Sequence, residues 1–414
     1  MTLPPLALYA HFPWCVRKCP YCDFNSYALR TALPEQHYVD ALISDLRAQA
    51  QEQELCARPL VSVFLGGGTP SLFSPAAIER VLVAARDTFG FDDGVEITLE
   101  ANPGTIERGR FAEYRAAGIN RVSLGAQSFD SLKLHALGRI HSPAETCRAA
   151  EELHAAGLEN FNLDLMYALP DQDVPGALAD IGQALQLEPT HISHYQLTIE
   201  PGTAFAASPP SLPAEDIAAD MLAECAARLD AAGFAQYETS AYARAERQSR
   251  HNHNYWSFGD YVGIGAGAHG KLSLPEHGRI YRTTRPREPR RYLACAGPPP
   301  TRTAVAALDL PFEFMLNALR LVRGFDTELF ESRTGLSWYS VAPTMEQLRA
   351  HGLVECAGSC WRATALGARF LNDALLRFLP PRPPLASGEN GRAGPLYTAS
   401  GWPSVNERIT SDTT

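Results

Sequence analysis

The sequence predicts an α/β protein: an incomplete (β/α)6 barrel of the TIM type, followed by a smaller winged-helix-like α+β domain. Three observations predict it. Through the first two-thirds of the 414 residues, six short apolar runs alternate with amphipathic helical patterns. Polar and glycine-rich segments recur just after those runs, at what would be one end of a parallel sheet. Beyond an Arg- and Pro-rich connector, the pattern changes to helices followed by a hairpin.

The runs that end in turn signals are Leu6 to Phe12, Leu60 to Leu65, Val95 to Leu99, Arg121 to Leu124, Phe161 to Met166 and His191 to Leu197. Between them, Val39, Leu42, Ile43 and Leu46 share one helical face, with Pro34 near its start, and Ile78, Val81, Leu82 and Ala85 share another. Later helices are expected at about Phe111 to Ala116, Ala144 to Ala156, Val174 to Leu187 and Ala214 to Ala232. Six strand and helix pairs with right-handed crossovers imply a parallel sheet curling into a barrel. Having six units and not eight leaves one side open, which would admit a large substrate. We divide the chain into a barrel (1–240), a His- and Gly-rich segment plus connector (241–303), a helical and winged-helix-like domain (304–380) and a Pro-, Gly- and Ser-rich tail (381–414) expected to be disordered.

The formal charge of −10 argues against a phosphate-coated partner, so no nucleic acid is expected. No apolar run is long enough to span a bilayer, and the first strand begins without the charged and apolar regions of a signal peptide. A cytoplasmic protein follows as the expectation. Nine cysteines with no paired framework fit a reducing compartment.

Three of the nine, Cys15, Cys19 and Cys22, fall within eight positions. Their spacing would suit one helical face, but Pro13 and Pro20 interrupt a helix, so a loop wrapped around a metal group is expected at the C-terminal end of the first strand. Three thiolates can ligate three irons of a four-iron, four-sulfur cube and leave the fourth open to a small molecule. A structural zinc site is the alternative, with His11 as a fourth ligand, and inert buried cysteines are another.

The loop Cys-x3-Cys-x2-Cys, with Tyr21 before its last cysteine, resembles the signature of the radical S-adenosylmethionine (SAM) superfamily. The remaining rim residues gain meaning from that resemblance. Strand two is followed by Gly66-Gly67-Gly68-Thr69-Pro70, whose glycines let backbone approach a ligand, though an ordinary turn would look the same. Strand three ends in Glu100-Ala101-Asn102-Pro103, strand four leads to Gln127 and then Arg139, and strand five carries Asp164 inside an apolar run. Singly, each is an ordinary solvated or capping residue; together they share a rim. A sulfonium nucleoside bearing an amino acid needs polar backbone near its ammonium, a cation near its carboxylate, and carboxylate or amide groups near its ribose. The resemblance implies that Gly67, Gly68 and Thr69 hold the SAM amino group and that Tyr9, Tyr21, Glu100, Gln127, Arg139 and Asp164 line the rest of the cofactor site.

Gly-Gly-Gly-Thr-Pro, Gln127-Ser128-Phe129, Leu137-Gly138-Arg139 and Asp164-Leu165-Met166-Tyr167-Ala168-Leu169-Pro170 narrow the resemblance to the anaerobic coproporphyrinogen III oxidase branch, over roughly residues 6 to 380. Two departures count against oxidative decarboxylation of a porphyrinogen: Phe24 stands where the oxidase carries a fourth cysteine, and only about five residues precede the first strand. The haem-chaperone sister group lacks both features and carries a His-Asn-x-x-Tyr-Trp segment, here His251 to Trp256. An imidazole could ligate iron and two aromatics could cover a porphyrin face, against the ordinary reading of a hydrogen-bonded surface turn. The resemblance implies that His251 contacts haem, with His253 in reserve, that a [4Fe-4S] cluster and SAM are the further cofactors, and that haem passes to an acceptor protein.

Downstream, Gly263 to Gly270 contains a formal Gly-x-Gly-x-x-Gly. No helix opens after it, because Pro275 and Gly278 follow, so a dinucleotide fold is poorly supported. The resemblance instead implies an edge over the SAM adenosine, touched by Ala268 or His269. The C-terminal pattern predicts helices at Phe312 to Val322, Thr327 to Ser332 and Thr344 to Ala350, a hairpin across Ala357-Gly358-Ser359, and a last helix from Leu366 to Phe378. Such a module raises DNA binding as a rival, but eight acidic and seven basic residues between Asp309 and Leu379 give no basic face, so a lid or partner surface is expected. Cys356 and Cys360, which flank the hairpin, read as packing residues more readily than as metal ligands.

Overall fold

The computed structural model describes residues 1–50, 55, 58–104, 110–294 and 300–380. The tail from 381 onward, and its expected disorder, lie outside the described residues, as does part of the connector.

All six predicted strands form, and they are parallel neighbours in chain order: Leu6–Phe12, Leu60–Gly67, Phe91–Ala101, Arg121–Gln127, Phe161–Tyr167 and His191–Gln196. The structure adds a seventh parallel strand. Asp260–Ile264 lies along the other edge of Leu6–Phe12, with Tyr9 opposite Gly263. The strands His269–Leu274, Arg279–Thr284 and Thr301–Ala304 continue the sheet antiparallel on that side, and Ala241–Ala243 and Ala235–Glu238 extend it antiparallel at the far end. The segment 241–303, set apart in the sequence reading, therefore contributes five strands to this sheet. Its runs are short and broken by glycine, so local pattern alone does not reveal them as strands. Among the described residues no helix is long and apolar enough to cross a membrane.

Alternation along the strands explains both faces. Leu8, Ala10, Phe12, Val63, Leu65, Leu99, Val122, Leu124, Leu163 and Leu165 are buried with the inner faces of the helices Glu35–Ala50, Pro75–Phe89 and Pro143–Ala155 in one apolar core. The opposite face lines the barrel and is polar: Glu96 lies beside Ser62, Thr98 beside Arg121, and Asn162 beside both Ser123 and His191. Helix starts carry the expected signals. Ser74 accepts from the Ala77 amide ahead of Pro75–Phe89, and Ser142 and Glu145 form a capping box.

The C-terminal part has helices Leu310–Ala318, Thr327–Thr334 and Ala342–Ala350, with the hairpin Val354–Ala357 and Cys360–Ala363 joined by Phe325–Asp326 into a three-stranded sheet. The predicted last helix is two, Ala365–Arg369 and Leu371–Leu376, because the backbone leaves helical geometry at Phe370 (φ −110°, ψ 34°). Phe314, Phe330, Met345 and Trp361 form its core, together with Phe258 and Ile280 from the sheet extension. A buried ion network lies within the sheet, and a partly buried ion pair crosses the junction. Asp260 pairs with Arg58 and Lys271, each at 2.9 Å, and Glu313 pairs with Arg282. Cys356 and Cys360 each donate to a backbone carbonyl, of Gly358 and Arg323 respectively, at 3.2 Å.

Candidate functional site

The cysteine loop is built from backbone bonds around the first strand's C-terminal end. Trp14–Cys15 pairs with Tyr27–Ala28, and the Cys22 amide donates to Cys19 O at 3.2 Å. Aromatic packing anchors it: Phe12 meets Phe73 edge-on with centroids 4.8 Å apart, and Trp14 meets Tyr38 at 4.7 Å. The glycine-rich loop packs against it, with Gly68 N donating to Phe12 O at 2.7 Å and Thr69 N to Trp14 O at 2.8 Å. A Cβ on Gly68 would stand 2.6 Å from Trp14 O, so only glycine fits there.

The three thiols are half-buried and unoxidised. Burial pushes the Cys15 thiol up to about 11 and raises Cys22 too, so protein alone keeps both as thiols, and a bound metal would be needed to hold them as thiolates. Among the described residues no three His, Cys, Asp or Glu side chains converge as a single ion requires. A structural zinc site takes four protein ligands, whereas a cube takes three thiolates and keeps one iron open. His11 is spent as well: its Nδ1 shares a hydrogen bond with Tyr9 Oη (2.9 Å) and its Nε2 with Asn25 O (3.0 Å).

Around the thiols the rim residues assemble. Glu100 Oε2 accepts the Gly67 amide at 2.9 Å, and burial, reinforced by Asp164 and opposed by that amide, pushes its carboxyl up to about 7. With the Gly67, Gly68 and Thr69 amides all engaged, the loop has carbonyl oxygens to offer, which is what an ammonium needs. Arg139 reaches Gly125 O at 2.7 Å, Asn102 Oδ1, and Cys19 Sγ at 3.8 Å, while its buried Nε has no partner. Tyr195 donates to Gln127 Oε1 at 2.9 Å, and Gln127 holds φ at 66°. Asp164 accepts from Ser123 (3.1 Å) and Asn162 (2.8 Å). Tyr21 packs beside Phe205 over Leu137, Met166 and Leu197. His269 opens its strand at the same end, its imidazole lowered by partial desolvation and by Arg282 and Arg287.

The structure thus brings together the cysteines, Tyr9, Tyr21, Gly67, Gly68, Thr69, Glu100, Gln127, Arg139, Asp164 and His269 at one end of the barrel. Sequence reasoning missed several residues that position them. Asn102, legible in sequence only as part of the rim run, links Thr69 (2.8 Å) to Arg139. Asn25 ties the cysteine loop to Ala266 O and Arg287 O, each at 2.9 Å, and Gly267 leaves it room. Asp45 binds the buried Arg285 and accepts from Tyr292 at 2.8 Å, holding the Gly265 amide nearby.

His251 is not on that rim, nor on a surface turn. It lies on the helix Arg250–Trp256 at the opposite, floor end of the barrel, 9% exposed. Its Nδ1 meets Ser62 Oγ at 3.0 Å, its ring lies 5.0 Å from Phe64 and 6.5 Å from Tyr9, and burial, with Arg121 nearby, pushes it down to about 3. Glu96 accepts the amides of Arg250 (3.0 Å) and His251 (3.1 Å), capping the helix. The two aromatics expected to cover a porphyrin serve the domain junction: the Arg320 guanidinium sits 4.4 Å from the Trp256 ring, and Tyr255 packs on Tyr261 at 5.3 Å. His253 is the exposed imidazole of this helix.

A parallel barrel with three clustered cysteines at its C-terminal end defines a radical SAM protein, and residues 9–181 match the Radical SAM superfamily while 305–370 match the HemN C-terminal domain. Heme chaperone HemW of Escherichia coli (strain K12) is 48% identical over 385 residues, covering 92% of this chain and 99% of that protein. Heme chaperone HemW of Haemophilus influenzae is also 48% identical, over 91% of this chain and 98% of its own length. The chain belongs to the heme chaperone HemW family. The solved structure of coproporphyrinogen III oxidase (HemN) from Escherichia coli shares the fold, with a TM-score of 0.77 at 23% identity, covering 91% of this chain and 90% of that one.

Proposed function

We propose that this protein is a haem chaperone of the cytoplasm that holds a [4Fe-4S] cluster and SAM and hands haem to an acceptor protein. The observation that carries the reading is the near full-length match to heme chaperones, joined to a barrel mouth whose three thiols sit beside the Glu100, Gln127, Arg139 and Asp164 rim. Cys15, Cys19 and Cys22 are assigned to the cluster, which when bound supplies an open iron for the amino and carboxylate groups of SAM. Arg139 would orient the carboxylate, the carbonyls of the Gly67 to Thr69 loop the ammonium, and Gln127 and Asp164 the ribose. Tyr9 and Tyr21 flank this space, and His269 borders the adenosine edge.

For His251 to reach haem iron, its helix must give up the bonds to Ser62 and Glu96 and leave the barrel floor. His253 needs no such displacement. The test is haem addition to anaerobically reconstituted protein. A stable Soret band that transfers to an acceptor is expected, and its loss in His253→Ala but not His251→Ala would assign the ligand to the exposed ring. Decarboxylated product from coproporphyrinogen III, SAM and reductant would overturn a purely chaperone reading.

A further inference from the structure

The cysteine loop has an outer face that the cofactor site does not use. Three of the large apolar side chains exposed among the described residues lie in this one loop: Val16 (41%), Phe24 (43%) and Tyr27 (36%). Such side chains normally turn inward, and a group of them on a polar surface marks a contact site. The loop beneath them is firm. Lys18 Nζ donates to Phe24 O at 3.0 Å and to Ser26 O at 3.1 Å, and the Tyr27 strand pairs with Trp14–Cys15.

Charge supplies the second observation. The chain carries −10 overall, yet this face gathers cations. Tyr27 Oη donates to Arg287 O at 3.2 Å, and Asn25 Nδ2 donates to the same carbonyl at 2.9 Å, so the backbone of the exposed Arg287, followed by the exposed Glu288, meets the Tyr27 hydroxyl. Arg17, also exposed, follows Val16, and Asp23 is the one acidic residue between Cys15 and Arg30. Aromatic rings bordered by arginines complement a flat apolar molecule with carboxylates at its edge. A protein partner is a poorer fit, because a stable protein interface needs about 800 Å² per side, far more than two rings offer.

We propose that this face docks haem, with the macrocycle against Phe24 and Tyr27 and the propionates toward Arg17 and Arg287. The proposal rests on the haem-carrying function above and places the cargo at the cluster end of the barrel, away from the helix that carries His251 and His253, so loss of haem binding in His253→Ala would overturn it. The contacts are to ring and carboxylates, so the iron is not what this surface recognises.

The test titrates haem and, separately, metal-free protoporphyrin IX into full-length reconstituted protein. Phe24→Ser is expected to weaken both by about tenfold, and Phe24→Tyr, which keeps a ring, to restore wild-type affinity. Arg17→Glu with Arg287→Glu is expected to weaken both by about tenfold at low salt and less at high salt. Iron and sulfide content, read alongside, should stay at the wild-type level in all of them. If wild-type protein takes up no haem, the chaperone reading itself fails. If it binds haem and every variant binds equally well, or if haem binding falls while protoporphyrin IX binding does not, the docking face is overturned and the chaperone reading stands.

Discussion

The two ends of this barrel are both polar, but they use their polar groups differently. At the floor, Glu96 accepts from Ser249, Arg250 and His251, and His191 engages Asn162 at 2.6 Å and Tyr237 at 2.9 Å through its two ring nitrogens. At the mouth, Cys19 lies 3.8 Å from Arg139 and also meets Tyr21, Cys22 lies 3.7 Å from Ser26 and also meets the Phe24 backbone, and the Arg139 Nε is buried with no partner. Buried atoms without a hydrogen-bond partner occur at both ends, Thr98 Oγ1 and Arg58 Nη1 at the floor and Arg139 Nε at the mouth, so it is the three clustered thiols that mark the mouth for binding and the dense bonding of Glu96 and His191 that marks the floor for stability.

The sharpest way to break that division is at the sulfurs. Serine at any one of Cys15, Cys19 or Cys22 is expected to abolish cluster assembly, read as loss of thiolate-to-iron absorption and of bound iron and sulfide. Serine at Cys225, buried in the helix Glu215–Ala231, should leave assembly intact. At the other end, Asp260→Asn leaves Arg58 and Lys271 buried without their shared anion and should cost about 3–5 kcal/mol in denaturant unfolding. An Asp260→Asn protein as stable as wild type would sink the view of the floor as structural.

The same division governs what the sequence could disclose. Six strands were legible because each is an apolar run closed by a turn, and the cysteine spacing declared itself because the ligands are local. The seventh strand, Asp-Tyr-Val-Gly-Ile, is short and begins with a charge; its pairing with Leu6–Phe12 on one side and His269–Leu274 on the other makes it a strand. Bonds such as Asp45 to Arg285 or Asn25 to Ala266 join residues about 240 positions apart, and no spacing rule reaches that far. The His-Asn-x-x-Tyr-Trp segment shows the middle case. Its residues stood out, but which face of a seven-residue helix turns inward depends on Ser62, Phe64 and Glu96 from other strands.

A smaller effect tests the floor by pH. His251 titrates at about 3 in the fold because burial disfavours its charge, against about 6.5 unfolded. The unfolded chain therefore takes up this proton first, and the contribution present above pH 6.5 is lost as pH falls toward 3. By pH 5 this one ring accounts for about 2 kcal/mol. Unfolding followed from pH 7 to pH 5 should show a shallower loss of stability in His251→Gln than in wild type; parallel slopes would mean that the ring is solvated.

The mouth should respond in the opposite direction and through binding. Glu100 titrates at about 7, raised above the ordinary glutamate value by burial and by Asp164, so near neutral pH it exchanges its proton while the protein stays folded. Its raised value makes the protonated fold the more stable one, and that advantage fades as pH rises from about 4.5 through 7. The same ionisation creates the negative charge beside the Gly67 loop where an ammonium is proposed to sit. SAM affinity should therefore climb as pH rises from 6 to 8, by no more than about tenfold, or roughly 1.4 kcal/mol. Glu100→Gln keeps the shape and an acceptor oxygen but cannot ionise, so equilibrium dialysis of SAM against that variant should give a flat profile. A slope that survives in Glu100→Gln would move the titrating group elsewhere and leave Glu100 only its bond to Gly67.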